Sequence, residues 1–189
     1  MLGRDADQVD FVLSTHLHVD HVGWNTRWVN NQWTPTFPNA RHFMPQREQK
    51  YFASPENRND PRYCVYEDSV LPFIESRRAE LVIADSTEII EGLRFLSTPG
   101  HSLDHMSIVL ESRGEKAIFG GDVMHHPLQV YFPRLNSIYC ESAHPARSSR
   151  RFVLEYAAEY QATYFSTHFP ESSVGRISRS AKAFKWSYL

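Results

Sequence analysis

His16-Leu17-His18-Val19-Asp20-His21 puts four metal-competent side chains within six positions, directly after the apolar run Phe11-Val12-Leu13-Ser14-Thr15. The same local design recurs three times. RFLSTPG (94–100) runs into His101, AIFGG (117–121) into Asp122, and TYFST (163–167) into His168. In each, a β-prone apolar segment stops at small residues and a histidine or aspartate follows. Loops just past the carboxyl ends of strands converge on the ligand site of layered α/β folds, so one crevice can collect all four places. With the backbone extended, His16 and His18 point the same way by the two-residue period. Asp20 and His21 then turn toward a neighbouring point as the next helix begins.

Five imidazoles and two carboxylates are too many for one tetrahedral ion and suit two ions sharing a bridging carboxylate. Nitrogen and oxygen donors without sulfur favour Zn²⁺ and are also compatible with Mn²⁺, Fe²⁺ or Co²⁺. Leaving the residues of the 16–21 run unpaired near a sheet end would carry a large desolvation and repulsion cost. His42, His105 and His144, taken singly, read as ordinary polar loop residues.

The rest of the composition is unexceptional. The 189 residues carry 20 Lys+Arg against 22 Asp+Glu, a net charge of -2, with 41% hydrophobic residues, which places the chain among ordinary globular proteins with one domain over 1–189. Near-neutral charge gives no long-range field for nucleic acid or an anionic membrane, so the expected partner is a small-molecule substrate. No window reaches the roughly 18–20 apolar residues of a membrane span, and Met1-Leu2-Gly3-Arg4-Asp5 lacks a signal-peptide core, so the chain as written reads as cytoplasmic. An export signal upstream of Met1 is left open. Cys64 and Cys140 form no C-x-x-C pair and read as buried or half-buried thiols. The ten histidines are the abnormal number.

The patterning predicts strands over 9–15, 40–44, 81–84, 87–90, 93–98, 105–111, 116–119 and 163–166, with a last edge from 176–177 and 183–186. Tight turns are expected at Glu91-Gly92 and Arg113-Gly114. Helices are predicted over 45–52, over 65–78 with Pro72 kinking or splitting it, and over 148–160. Residues 4–8 read as a helix tail or turn, and 54–62 as a surface loop. Strands mixed with helices, and hairpins in the middle, argue for an α/β domain with a mixed sheet.

HLHVDH (16–21), TPGHS (98–102), FGGDV (119–123) and THFP (167–170) resemble, in order and spacing, the successive motifs of the metallo-β-lactamase superfamily. GWNT, GHSLDHMSI and GDVMHHPLQV look most like the branch that holds methyl parathion hydrolase and the acyl-homoserine lactonases. The resemblance implies an αββα sandwich with mixed sheets and a dinuclear site. His16, His18 and His101 would hold one metal, Asp20, His21 and His168 the other, and Asp122 would bridge. Two features depart from the family. Only fifteen residues precede His16, so the first half-sandwich reads as shortened, which implies a fragment, a misplaced start, or a homo-oligomer that buries the exposed sheet edge. Leu103-Asp104 stands where relatives often have Pro-Gly.

The function that follows is a metal-dependent hydrolase in which two ions lower the pKa of a bridging water for attack on an ester, lactone or phosphotriester. Asp20 is placed to orient that nucleophile, and His125 or His126 either donates a proton to the leaving group or is loop polarity. Trp24, Trp28, Trp33, Phe37, Tyr131 and Phe132 either line the substrate side or pack in loops. Redox chemistry of the flavoprotein oxygen-reductase type calls for glutamate in place of His18. A non-catalytic truncated remnant acting through association is the alternative.

Overall fold

The computed structural model describes residues 5–85, 88–180 and 183–189. They fall into two compact units that meet in sequence at Ile83 and Ala84.

In the first unit, strands β1 (Phe11–Leu13), β4 (Arg41–Pro45) and β5 (Ala79–Val82) form a three-stranded parallel sheet in the order β1-β4-β5. β2 (Thr26–Val29) and β3 (Gln32–Pro35) make a separate hairpin. Its turn residues Asn30 and Asn31 adopt φ of 51° and 60°, a pair of left-handed conformations that asparagine tolerates and that suits the strand twist. Sequence periodicity misses this hairpin because its strands are short and carry tryptophan on an exposed face. Helices α1 (Val19–Val22), α2 (Gln46–Ala53), α3 (Tyr63–Ser69) and α4 (Leu71–Glu75) complete the unit. Pro72 sits in the first turn of α4, where its missing N–H costs nothing, so the predicted helix is split at Val70. Leu17, Val22, Met44, Phe52, Tyr66, Val70 and Phe73 form the core that ties these helices to β4.

The second unit is built on a seven-stranded mixed sheet. Its strands are β6 (Glu88–Ile90), β7 (Leu93–Ser97), β8 (Met106–Ser112), β9 (Glu115–Phe119), β10 (Thr163–Phe165), β11 (Val174–Ser180) and β12 (Ala183–Tyr188). The order is β12-β11-β10-β9-β8-β7-β6, antiparallel except where β10 lies parallel to β9. That parallel step is the crossover that holds α5 (Leu128–Tyr131) and α6 (Ala143–Glu159). Val153, Leu154 and Ala157 of α6 pack with Val109, Ile118, Tyr164 and Trp186 of the sheet. α6 begins five residues earlier than the pattern indicates, because Pro145 falls in its first turn, where proline is tolerated. β11 and β12 are longer than expected, and the predicted strand over 87–90 begins at a residue outside the described ones.

His42 is buried on β4 with its ring 3.9 Å from that of Phe73, and neither ring nitrogen has a hydrogen-bond partner among the described residues. Burial, reinforced by Arg78, lowers its pKa to about 4, so the folded chain holds the neutral form. The unfolded chain binds a proton below its ordinary pKa of about 6.5, so stability is full above that value and falls as pH drops toward 4. The loss is on the order of 3 kcal/mol. Urea midpoints measured across this interval should fall less steeply for His42→Leu than for the parent chain, and parallel slopes would contradict the assignment.

Candidate metal centre

The first donor set grows out of the end of β1. Ser14 donates its backbone N–H to the Phe43 carbonyl at 2.9 Å, which extends the pairing with β4 by one residue before the chain turns away. The Leu17 N–H then donates to Oε2 of Glu48 at 2.7 Å. Glu48 lies on α2 and is buried, so a carboxylate from a neighbouring helix fixes the centre of the histidine run. His16 is fully buried, and its Nδ1 lies 3.1 Å from Thr15 Oγ1, which orients the ring. His18 precedes α1 with extended backbone, φ -74° and ψ 156°. The His16 ring consequently lies 4.5 Å from that of His18 and 4.0 Å from that of His21. Asp20 Oδ2 is 3.5 Å from His21 Nε2. The structure thus brings all four predicted residues of this run together, across a bend at Thr15 and His16 rather than along a continued extended strand.

The second set centres on Asp122, which is buried at the exit of β9. Two glycines precede it for different reasons. A Cβ on Gly120 would lie 2.0 Å from Tyr164 Oη, and Gly121 has φ of 54°. Three imidazoles face the same oxygen of Asp122: His168 Nε2 at 3.0 Å, His101 Nε2 at 3.4 Å and His125 Nε2 at 3.4 Å from Oδ2. His101 is held by the start of α6, because Glu141 donates its N–H to the His101 carbonyl at 3.1 Å and Ser142 to that of Gly100 at 2.9 Å. Gly100 has φ of 125°, and a Cβ there would lie 2.1 Å from the Ala146 nitrogen.

Two histidines outside the seven expected ligands are tied to this set. His105 is fully buried, and its Nε2 accepts the Asp122 backbone N–H at 2.9 Å while Nδ1 lies 3.0 Å from the Thr98 carbonyl. An amide can only donate, so Nε2 is the acceptor and Nδ1 carries the proton toward Thr98. His105 therefore positions Asp122. His125 and His126 separate clearly: His126 Nδ1 accepts the Leu128 N–H at 3.1 Å and caps α5, whereas His125 turns toward the carboxylate. His144 is exposed on α6. His105 opens the predicted strand over 105–111, but only the strand register shows that its ring reaches the Asp122 amide.

The chemistry of the donors fits a divalent cation. Ligand atoms about 2.1 Å from a tetrahedral ion lie about 3.4 Å apart, and N–O separations around Asp122 are of this size. Trp24 is 75% exposed and touches Phe37, while Trp28 and Trp33 pair across the β2–β3 hairpin with ring centroids 5.1 Å apart.

A family model described as "Metallo-beta-lactamase superfamily" matches residues 1–168. An N-acyl homoserine lactonase of Bacillus thuringiensis is 29% identical over 111 residues, 59% of this chain and 36% of the relative. One from a Bacillus species is 25% identical over 112 residues, with the same shares covered. Among solved structures, hydrolase AbOPH of the beta lactamase superfamily matches with a TM-score of 0.86 and 24% identity, over 99% of this chain and 66% of that one. AidC, a dizinc quorum-quenching lactonase in complex with a product, matches with a TM-score of 0.78 and 21% identity, over the same shares. The chain spans about a third of the length of the curated relatives, and the structural likeness is one of fold.

Glu48→Ala should cost about 1–3 kcal/mol by exposing the Leu17 amide to a buried void. It should also weaken metal binding, whereas Glu48→Gln keeps an acceptor and most of both. Thermal unfolding together with competitive zinc titration checks this, and equal affinity in all three chains would contradict the role given to Glu48.

Proposed function

Because the chain belongs to the metallo-beta-lactamase superfamily, we propose that it is a dinuclear metal-dependent hydrolase acting on a small-molecule ester, lactone or phosphotriester. In this reading both units form a single metallo-hydrolase domain. His16, His18 and His101 hold one ion, Asp20, His21 and His168 hold the other, and Asp122 is shared. The observation that carries the proposal is the crowding of imidazole nitrogens on one buried carboxylate oxygen, at 3.0 and 3.4 Å, in a chain whose 16–21 run adds four further donors within ring-contact or ion-pair distance of one another. Zn²⁺ is the expected ion for such nitrogen and oxygen donors.

Two divalent cations, when bound, supply a solvent molecule acidified toward neutrality and a Lewis acid for the oxygen that gains charge. The side chains supply the rest. Asp20, the most solvent-exposed of the proposed donors, is placed to accept a hydrogen bond from the attacking solvent and orient it. His105 fixes the Asp122 backbone so that the carboxylate does not rotate away between turnovers. The lactone class is favoured because the curated relatives carry the name N-acyl homoserine lactonase.

Replacing Asp122 by Asn keeps the shape but removes the shared charge. Elemental analysis should then find at least one ion lost per chain, and ring opening of an N-acyl homoserine lactone, followed by acid release, should slow by about 100-fold or more. Unchanged metal content and turnover would overturn the proposal. A parent chain that binds two ions yet opens no lactone, while cleaving an ester or phosphotriester, would keep the mechanism and change the substrate.

A further inference from the structure

His125 lies outside the seven residues that the family motifs assign, yet its surroundings are those of a ligand. Its Nε2 is 3.4 Å from Asp122 Oδ2, the same separation as that of His101 Nε2. One donor atom from each of His101, Asp122 and His125 lies within 4.8 Å of the other two, all inside the second unit. Both ring nitrogens of His125 are buried, and neither makes a hydrogen bond among the described residues. An imidazole in that condition keeps an uncompensated desolvation cost unless something else engages it.

The ring is also fixed before any ligand arrives. It stacks on His168 at 5.4 Å with the planes 2° apart, and Tyr139 covers it at 6.3 Å. The His125 backbone N–H donates to Oε1 of the buried Gln129 at 2.6 Å, and Gln129 Nε2 donates to the Leu135 carbonyl at 2.9 Å. Backbone and ring are therefore held from separate directions, which lowers the entropy lost when the nitrogen is engaged.

We propose that His125 is a metal ligand, and that His101, Asp122 and His125 give the second unit a complete three-donor site able to hold one divalent cation without the histidines of the first unit. Two imidazoles and a carboxylate are a donor set that binds zinc with a further position left open. The assignment rests on the reading of the chain as a divalent-metal protein.

The test uses the full chain, stripped of metal and titrated with Co²⁺ at neutral pH, following visible absorption. The His16→Ala/His18→Ala/His21→Ala triple variant should still bind one cobalt ion per chain. Adding His125→Gln should weaken that binding by more than the roughly 10–100-fold that loss of an outer partner costs. Circular dichroism confirms that each variant is folded. Proton–nitrogen NMR of the histidine rings in the unmutated chain gives a readout independent of any variant: on zinc addition one His125 nitrogen should move to the position of a metal-bound imidazole. Unaltered His125 signals, or cobalt affinity unchanged by His125→Gln, would overturn this inference while leaving the seven-residue reading intact. A parent chain that binds no cobalt at all would overturn both.

Discussion

At the exit of β9 a buried carboxylate, Asp122, has imidazole nitrogens packed around one of its oxygens, and the second unit is organised around it. Asp122 cannot lie out of water as a carboxylate without a large desolvation penalty, and the surrounding imidazoles offset that only in part. A divalent cation resolves the arrangement, because it neutralises the carboxylate and accepts the lone pairs that the rings present. Folding and metal binding are consequently linked: whatever holds Asp122 in place also sets the affinity for the ion.

Much of the second unit can be read as scaffolding for that one residue. Gly120 and Gly121 let the chain turn tightly past Tyr164, whose phenol burial pushes its pKa up and keeps it neutral there. His105 reaches from the start of β8 to take the Asp122 amide, and α6 pins the loop of His101 through Ser149, whose hydroxyl donates to the Pro99 carbonyl at 2.7 Å. Arg150 is fully buried and donates through Nε to the Val123 carbonyl at 3.1 Å, one residue past Asp122. The first unit uses the same device in smaller form, with Glu48 fixing the amide of Leu17 between two histidines.

The sequence exposes the donors more clearly than it exposes their support. His16, His18, Asp20 and His21 are legible because their spacing is local: four donors within six positions need no distant register to meet. His101, Asp122 and His168 are legible because each follows a strong β-type run ending in small residues. His105, Glu48 and Gln129 are not, since their roles depend on register and on helix placement. His125 falls between these cases. Its distance from Asp122 is visible in the chain, but only the cap that occupies His126 shows which of the two turns inward. Among the folded elements, the β2–β3 hairpin escapes pattern reading because its two-residue turn is Asn-Asn and its strands are exposed.

Anomalous diffraction from crystals grown with zinc shows whether the two donor sets hold a pair of divalent cations. Two strong peaks are expected, one bounded by His16, His18, His101 and Asp122, the other by Asp20, His21, His168 and Asp122. A map with no peak beside Asp122, or with zinc bound only at other residues, would contradict this expectation.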